Sequence, residues 1–405
     1  MASTKRKQWI LLAAGSRGWD KYRHQADVCH AYQMAKRNGI PDEQIIVMMY
    51  DDIAHNPRNP CQGNIINVPD GPNVYSGVQK DYTGDNVSAE NFLAVLKGQK
   101  SSATQKVIES GSDDEIFVYL SDHGSTQMFA FPSSTLYASD LIDAVEDMSR
   151  KKQFSKMVIY MESCKSGSML NHLPTDTNVY GVSASKPDEN SHACFWDPSR
   201  ETFLADVFSA KWMYNNETSN LERTTFQDQF NFLEREVTTS MPCQYGDERI
   251  KQARISEFWN QSPPQARAQK CEVKDAVPSR DVPLVVQENL MKNETDPQKK
   301  GKLKKRYENM KQTREKIDRA VQDIAARCPQ SRLAGGRVTA GKRPTPLKEL
   351  KHVAEHFRTA CFNWHEEEME YALSQMHILH NLCETGIDVA SIKQAITHVG
   401  GKIRK

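Results

Sequence analysis

The 405-residue chain carries 53 Lys and Arg against 52 Asp and Glu, a net charge of +1, with 38% hydrophobic residues. That balance argues against a general nucleic-acid binder, and no apolar run approaches the ~18 residues of a bilayer span, so a soluble protein of about two or three domains is expected. The charge is uneven: residues 281–405 hold 23 Lys and Arg and 16 Asp and Glu, net +7, which leaves −6 for residues 1–280. Such halves could dock on each other, although a Lys-rich solvated helix gives the same count.

The opening "MASTKRKQWILLAAG" has no apolar h-region with a cleavage site, and residues 9–14 read as a first strand. Either the protein is cytosolic or a targeting segment lies outside this chain. Val28, Ala31, Tyr32 and Ala35 follow at helical spacing, stopped by Gly39. Next come strands over 44–49 and 116–120, a helix around Leu136, Leu141, Ile142, Val145 and Met148, and strands over 157–161 and 179–183. This βαβ alternation predicts an α/β fold, a mostly parallel sheet flanked by helices.

Residues 262–283 hold four prolines and little apolar content, and read as an extended linker. Beyond it the pattern is all helical. Leu303, Tyr307, Met310, Ile317, Val321 and Ile324 form one apolar stripe on a basic helix, with two or three further helices over 347–383 and 389–399. The predicted domains are 1–261, a linker or activation region 262–295, and a helical module 296–405.

Nine cysteines without a C-x-x-C pair give neither a zinc cage nor a dense disulfide framework, and no metal or cofactor is expected. Sequons stand at Asn86, Asn216, Asn260 and Asn293, relevant only in a secreted or lysosomal protein.

Two strand ends carry the chemistry. "IFVYLSDHGS" runs from a buried-strand pattern into Asp122, His123 and Gly124, and "MVIYMESCKSGSM" into Glu162 and Cys164. In open α/β sheets the functional groups sit beyond the carboxyl ends of the strands, and neighbouring strands lie ~5 Å apart. A cysteine and a histidine converging there make a nucleophile and its base. The N–H groups near Gly124 and of Cys164 could hold an oxyanion. A buried free cysteine and a capping histidine would leave the same letters.

With "YRHQAD", "VMMYDDIA", "SDHGS", "YMESCKSGSM" followed by "NHLP", and "HFRTACFNW", the chain resembles the legumain, or asparaginyl endopeptidase, family over nearly its whole length. The resemblance implies a caspase-like catalytic domain and a death-domain-like helical prodomain that covers the active site until acid pH releases it. It implies His123 as general base, Cys164 as nucleophile and the amides of Gly124 and Cys164 as oxyanion donors. Asp122 matches an aspartate that can cyclise to a succinimide. Arg23, His24, Glu162, Ser191 and Asp206 match the lining of the primary specificity pocket, where a guanidinium and carboxylates satisfy both ends of an asparagine amide. Cleavage after Asp is then expected only where acid neutralises carboxylates, at roughly pH 4 to 5.

Further implications are self-cleavage at Asn293, peptide ligation as a side activity, a lysosomal, endosomal or secreted location, and three partners: peptide or protein substrates, the chain's own prodomain as inhibitor, and cystatin-type inhibitors. The chain departs from the family pattern at Lys21, where an asparagine thought to orient the catalytic histidine is usual, and at Lys165, where an acid follows the nucleophile. The alternative reading is therefore a catalytically impaired binding module. Cys361 and Cys383 match bridged prodomain cysteines whose partners are absent, so these two and Cys328 pair differently or the prodomain is less stapled. "HVAEH" at 352–356 is taken as a solvated helix, "GRVTAGKR" at 336–343 as a loop, and "YDD" at 50–52 as turn capping rather than metal or phosphate sites.

Overall fold

The structure is a computed structural model and describes residues 6–261, 268, 272–328 and 346–403. The strands are β1 (Gln8–Ala14), β2 (Ile45–Met48), β3 (Glu115–Ser121), β4 (Gly124–Ser125), β5 (Met128–Ala130), β6 (Thr135–Tyr137), β7 (Lys156–Glu162), β8 (Val179–Ser183), β9 (His192–Asp197), β10 (Thr202–Asp206), β11 (Cys243–Gly246) and β12 (Val277–Pro278). Six of them form the main sheet in the order β11-β8-β7-β3-β1-β2, parallel except for β11. Burial on both faces explains why β1, β3 and β7 read as unbroken apolar runs.

The helices of this unit are α1 (Tyr22–Arg37), α2 (Ala89–Leu96), α3 (Ala138–Arg150), α4 (Gly167–Leu170), α5 (Val207–Thr218), α6 (Phe226–Glu236) and α7 (Ser256–Trp259). Alternate residues of β3 and β7 meet aromatic side chains from α5 and α7. Phe117 lies 4.9 Å from Trp259, and Tyr119 and Tyr160 lie 5.1 and 5.5 Å from Trp212, ring centre to ring centre. Burying each such side chain contributes roughly 1.5–3 kcal/mol, which pins the two strands that carry the site. The helix expected around Leu136 begins at Ala138 instead. Leu136 belongs to β6, paired with Phe129 of β5.

The chain divides into two compact units, one of residues up to Gly124 and Met128–Val286, the other of Ser125–Gln127 and residues from Gln287 onward. Residues 277–286, expected as extended linker, form β12, a short turn and the start of α8 (Val282–Asn293), and belong with the first unit. Their Val-Pro-Leu-Val-Val run supplies apolar surface, and Val282 and Val286 are buried. The second unit continues with α9 (Pro297–Arg327), α10 (Pro346–Ala360), α11 (Tyr371–Ser374), α12 (Met376–Glu384) and α13 (Val389–Ile403). Asp296 starts α9 by accepting the N–H groups of Gln298 and Lys299, with Pro297 at the first helical position. Of the predicted stripe, Ile317, Val321 and Ile324 are buried, and Leu303, Tyr307 and Met310 half-buried.

Within the described residues Cys328 and Cys383 are free thiols, and Cys361 Sγ lies 3.6 Å from the Ile396 carbonyl. A Cβ at Gly400 would sit 2.4 Å from the carbonyl oxygen of Ala360, so α13 packs closely on α10. His356 is bonded to Thr397 across the same pair of helices. Residues 336–343 lie outside the described residues. No helix among those described is long and apolar enough to cross a membrane.

Candidate active site

Register brings the two strand ends together. β3 and β7 pair from Glu115↔Lys156 to Ser121↔Glu162, and the N–H of Asp122 donates to the Glu162 carbonyl at 3.1 Å. Two residues on, the backbones still touch: a Cβ on Gly124 would lie 2.7 Å from the carbonyl oxygen of Cys164 and from Ser163 Oγ. The chain then doubles back, Ala130 N–H donating to the His123 carbonyl at 3.0 Å. Gly15, at the end of β1, is needed for the same reason, since its Cβ would meet Asp122 Oδ2 at 2.5 Å. One polar side-chain atom from each of His24, Asp122 and His123 lies within 4.8 Å of the other two.

Cys164 is 4% exposed. Its Sγ lies 3.6 Å from Ser191 Oγ and 3.9 Å from the Ser191 carbonyl. Burial pushes the thiol up, opposed by the hydrogen bonds to Ser191 and by the charges of Arg23 and Lys165. The resting group is therefore a thiol that needs a base. His123 sits edge-on to His24, ring centres 5.2 Å apart. Lys165 has a left-handed backbone (φ 55°), sparsely populated for a lysine. Its N–H donates to the Glu189 carbonyl at 2.7 Å and its Nζ to the Asp188 carbonyl at 3.3 Å.

Beside the thiol, α1 supplies Arg23 and His24, the end of β7 supplies Glu162 and the end of β10 supplies Asp206. All four are about 1% exposed or less. Arg23 Nε donates to Asp206 Oδ1 at 2.9 Å, and Glu162 Oε2 accepts the Ser209 N–H and hydroxyl, both at 2.9 Å. The remaining oxygens, Glu162 Oε1 and Asp206 Oδ2, accept no N–H or O–H among the described residues. Burial and the Asp206 charge raise the Glu162 carboxyl well above the usual range. His24 is pushed far down by burial and by the charges of Arg23, His123 and Lys21, so it stays neutral. The charge of Lys21 is among those that disfavour a protonated His24. The His24 Nδ1 is 2.7 Å from Ser16 Oγ and 3.2 Å from Asp122 Oδ1.

The chain's own residues 275–281 line this pocket. Val277 and Pro278 pair antiparallel with Ala193 and His192 of β9, Ser279 N–H donates to the Ser191 carbonyl at 2.9 Å, and Arg23 Nη2 donates to Ser279 Oγ at 2.6 Å. Asp275 anchors the segment by accepting the N–H groups of Phe195 and Trp196.

All nine residues singled out for catalysis and substrate binding fall in this cluster. Asn293 is exposed at the end of α8, Asn86 is exposed, and Asn260 is half-buried. Asn216 is a correction: it is 6% exposed and accepts a hydrogen bond from Gln229 at 2.7 Å, which leaves no room for a glycan. Sequence reasoning missed Ser16, Asp27, Ser209 and Ser279. Ser16 was the most accessible of these, since it follows β1 at the same carboxyl edge.

Residues 8–262 match the peptidase C13 family. The chain is 40% identical to human legumain over 97% of its length and 93% of that protein's. It is 36% identical to a Schistosoma japonicum hemoglobinase (98% and 93%) and 32% identical to the Arabidopsis thaliana vacuolar-processing enzyme delta-isozyme (97% and 90%). The chain belongs to the peptidase C13 family. This C13 peptidase is a cysteine endopeptidase, a hydrolase acting on peptides or proteins. Among solved structures, caspase-1 of Spodoptera frugiperda overlaps 60% of this chain and 87% of its own at a TM-score of 0.37 and 10% identity, too distant to inform the site.

Proposed function

We propose that this C13 peptidase is an asparaginyl endopeptidase, made as a zymogen and activated by acid. The observation that carries the reading is the pair of buried carboxylate oxygens, Glu162 Oε1 and Asp206 Oδ2, left without donors beside the Arg23 guanidinium. An asparagine side chain supplies what they lack: its NH₂ donates to the two carboxylates and its oxygen accepts from Arg23. Desolvation makes each such bond costly to leave unmade, which is the source of selectivity.

In the proposed mechanism His123 takes the Cys164 proton and the thiolate attacks the carbonyl after asparagine. The N–H groups of Gly124 and Cys164 hold the oxyanion, and His123 returns the proton to the leaving amine. Water then hydrolyses the thioester; an amine arriving first would give ligation. A P1 aspartate needs a proton to enter, so its cleavage belongs to lower pH.

Two features support latency. Ser279 occupies Arg23 with a hydroxyl too short to satisfy the carboxylates, so residues 275–281 fill the pocket as an intramolecular inhibitor. The −6 and +7 halves attract at neutral pH, and acid weakens that attraction by protonating carboxylates. Exposed Asn293 is the proposed self-cleavage site. An Asn-containing fluorogenic peptide given at pH 5 to acid-incubated protein should be turned over, with activity abolished by Cys164→Ala. No turnover, or turnover unaffected by Cys164→Ala, overturns the reading.

A further inference from the structure

The turn between β1 and α1 sets a hydroxyl against the pocket. Ser16, 5% exposed just past β1, has its Oγ 2.7 Å from His24 Nδ1. The turn is braced from behind. Gln25 Nε2 donates to the Ser16 carbonyl at 3.3 Å and to Asp52 Oδ1 at 2.8 Å, and Asp52 Oδ2 accepts the Gly18 N–H at 2.7 Å. Gln25 Oε1 accepts the N–H of Asp51, whose backbone is left-handed (φ 67°). The "YDD" stretch at 50–52 therefore does more than cap its own turn: through Gln25 it holds Ser16 in place.

A neutral imidazole carries its hydrogen on one nitrogen only, and a serine hydroxyl has one hydrogen to give. Among the described residues the Ser16 O–H meets no acceptor besides His24 Nδ1. Satisfying both buried groups puts the hydroxyl hydrogen between Ser16 and Nδ1, and the ring proton on Nε2. His24 Nε2 is buried without a hydrogen-bond partner among the described residues, 3.7 Å from Asp206 Oδ2, too far for a bond. An N–H donor and a carboxylate acceptor thus stand side by side and unbonded, the complement of one edge of a primary amide. Asp122 Oδ1, 3.2 Å from Nδ1, pulls the other way, since a carboxylate draws the ring proton to the nitrogen beside it.

We propose that Ser16 is a positioning residue that sets specificity through His24, holding the ring in its Nε2–H tautomer so that a P1 asparagine oxygen accepts from His24 as well as from Arg23. The asparagine NH₂ then donates to Asp206 Oδ2 along the same edge. A P1 aspartate accepts from both donors and still meets Asp206 Oδ2 without a proton. With the opposite tautomer Nε2 becomes a second acceptor beside Asp206, and the asparagine oxygen faces it lone pair to lone pair. The inference rests on the pocket reading above and adds the residue that fixes the polarity of one wall.

The tautomer can be read without activity, from the nitrogen NMR resonances of the His24 ring in the full chain carrying Cys164→Ala, assigned by comparison with His24→Gln. Nε2 should resonate as the protonated nitrogen and Nδ1 as the bare one, and Ser16→Ala should move the proton to Nδ1, toward Asp122. A ring protonated at Nδ1 while Ser16 is present overturns the proposal, as does a pattern that Ser16→Ala leaves unchanged; the first result needs no Ser16 variant to fold. On an Asn peptide, acid-incubated Ser16→Ala should show KM raised by about tenfold and kcat lowered by less than about threefold, the split expected when a hydrogen bond made alike in ground and transition states is lost. Ser16→Thr, which keeps the hydroxyl, should recover most of that loss. An unchanged KM, or a fall confined to kcat, overturns the proposal. If wild type turns over no Asn peptide the pocket reading fails, and the ring resonances still decide the tautomer.

Discussion

Gly124 packs so closely on Cys164 that a side chain at position 124 would have to displace the Cys164 backbone. The contact ties the loop of His123 to that of Cys164, so relative placement of the two groups depends on a missing methyl group. Gly124→Ala should lower the melting temperature, overpacking costing about 1–3 kcal/mol, and lower kcat by about a hundredfold, the scale of a ~1 Å misplacement. Steady-state kinetics on an Asn peptide checks this; an active Gly124→Ala enzyme would mean that the loop tolerates displacement.

The Cys164 thiol is held up by burial and drawn down by Ser191, Arg23 and Lys165. Replacing the cation beside it removes one of the influences that favour thiolate. In Lys165→Glu the alkylation rate of Cys164 by iodoacetamide should fall at any given pH and its pH profile should move upward. A profile unchanged or moved downward would show that the Lys165 charge does not reach the sulfur.

Ser279 is bonded to the guanidinium that the proposed substrate needs. Hydrogen bonds to charged groups contribute about 1.5–3 kcal/mol, so Ser279→Ala should raise the activity of the uncleaved chain at neutral pH by about tenfold. The measurement is initial-rate turnover of an Asn peptide, with gel analysis to confirm that the chain is intact. No increase would place latency elsewhere than in residues 275–281.

The charge of Lys21 acts on His24, which burial already keeps neutral. Charges at partly exposed positions are worth up to about 1 kcal/mol, so Lys21→Asn should change kcat/KM by less than about fivefold. A gain of a hundredfold would instead reveal a chain whose catalysis had been lost at this position.

The parallel strands β1, β3, β7 and β8 were legible because burial on both faces leaves a run of apolar residues that nothing else in the sequence imitates. His123 and Cys164 were legible for the same reason, as polar letters where such a run stops. Arg23, His24, Ser191 and Asp206 needed the family resemblance, since nothing local links α1 to the start of β9 or the end of β10. Asp27 was hidden by its spacing: four residues after an arginine it reads as an exposed helical ion pair, and only the close approach of β10 makes it a buried carboxyl. Ser279 was hidden by its prolines, which signal an extended chain and do not say what that chain lies on. The Asn216 sequon misled because a tripeptide carries no information about the helix packed over it, here α6 through Gln229.

The site is assembled from parts of unequal mechanical strength. His123 and Cys164 follow β3 and β7, adjacent seven-residue strands in the interior of the main sheet, paired with neighbours on both edges. The segment whose Ser279 is bonded to Arg23 is secured by β12, a two-residue strand at the border of a small sheet. Amide exchange should therefore release Val277 and Ser279 long before any amide of β3 or β7. Warming should loosen the segment bound to Arg23 before it disturbs the strands that carry His123 and Cys164, so its release and inactivation are separable events on the temperature axis.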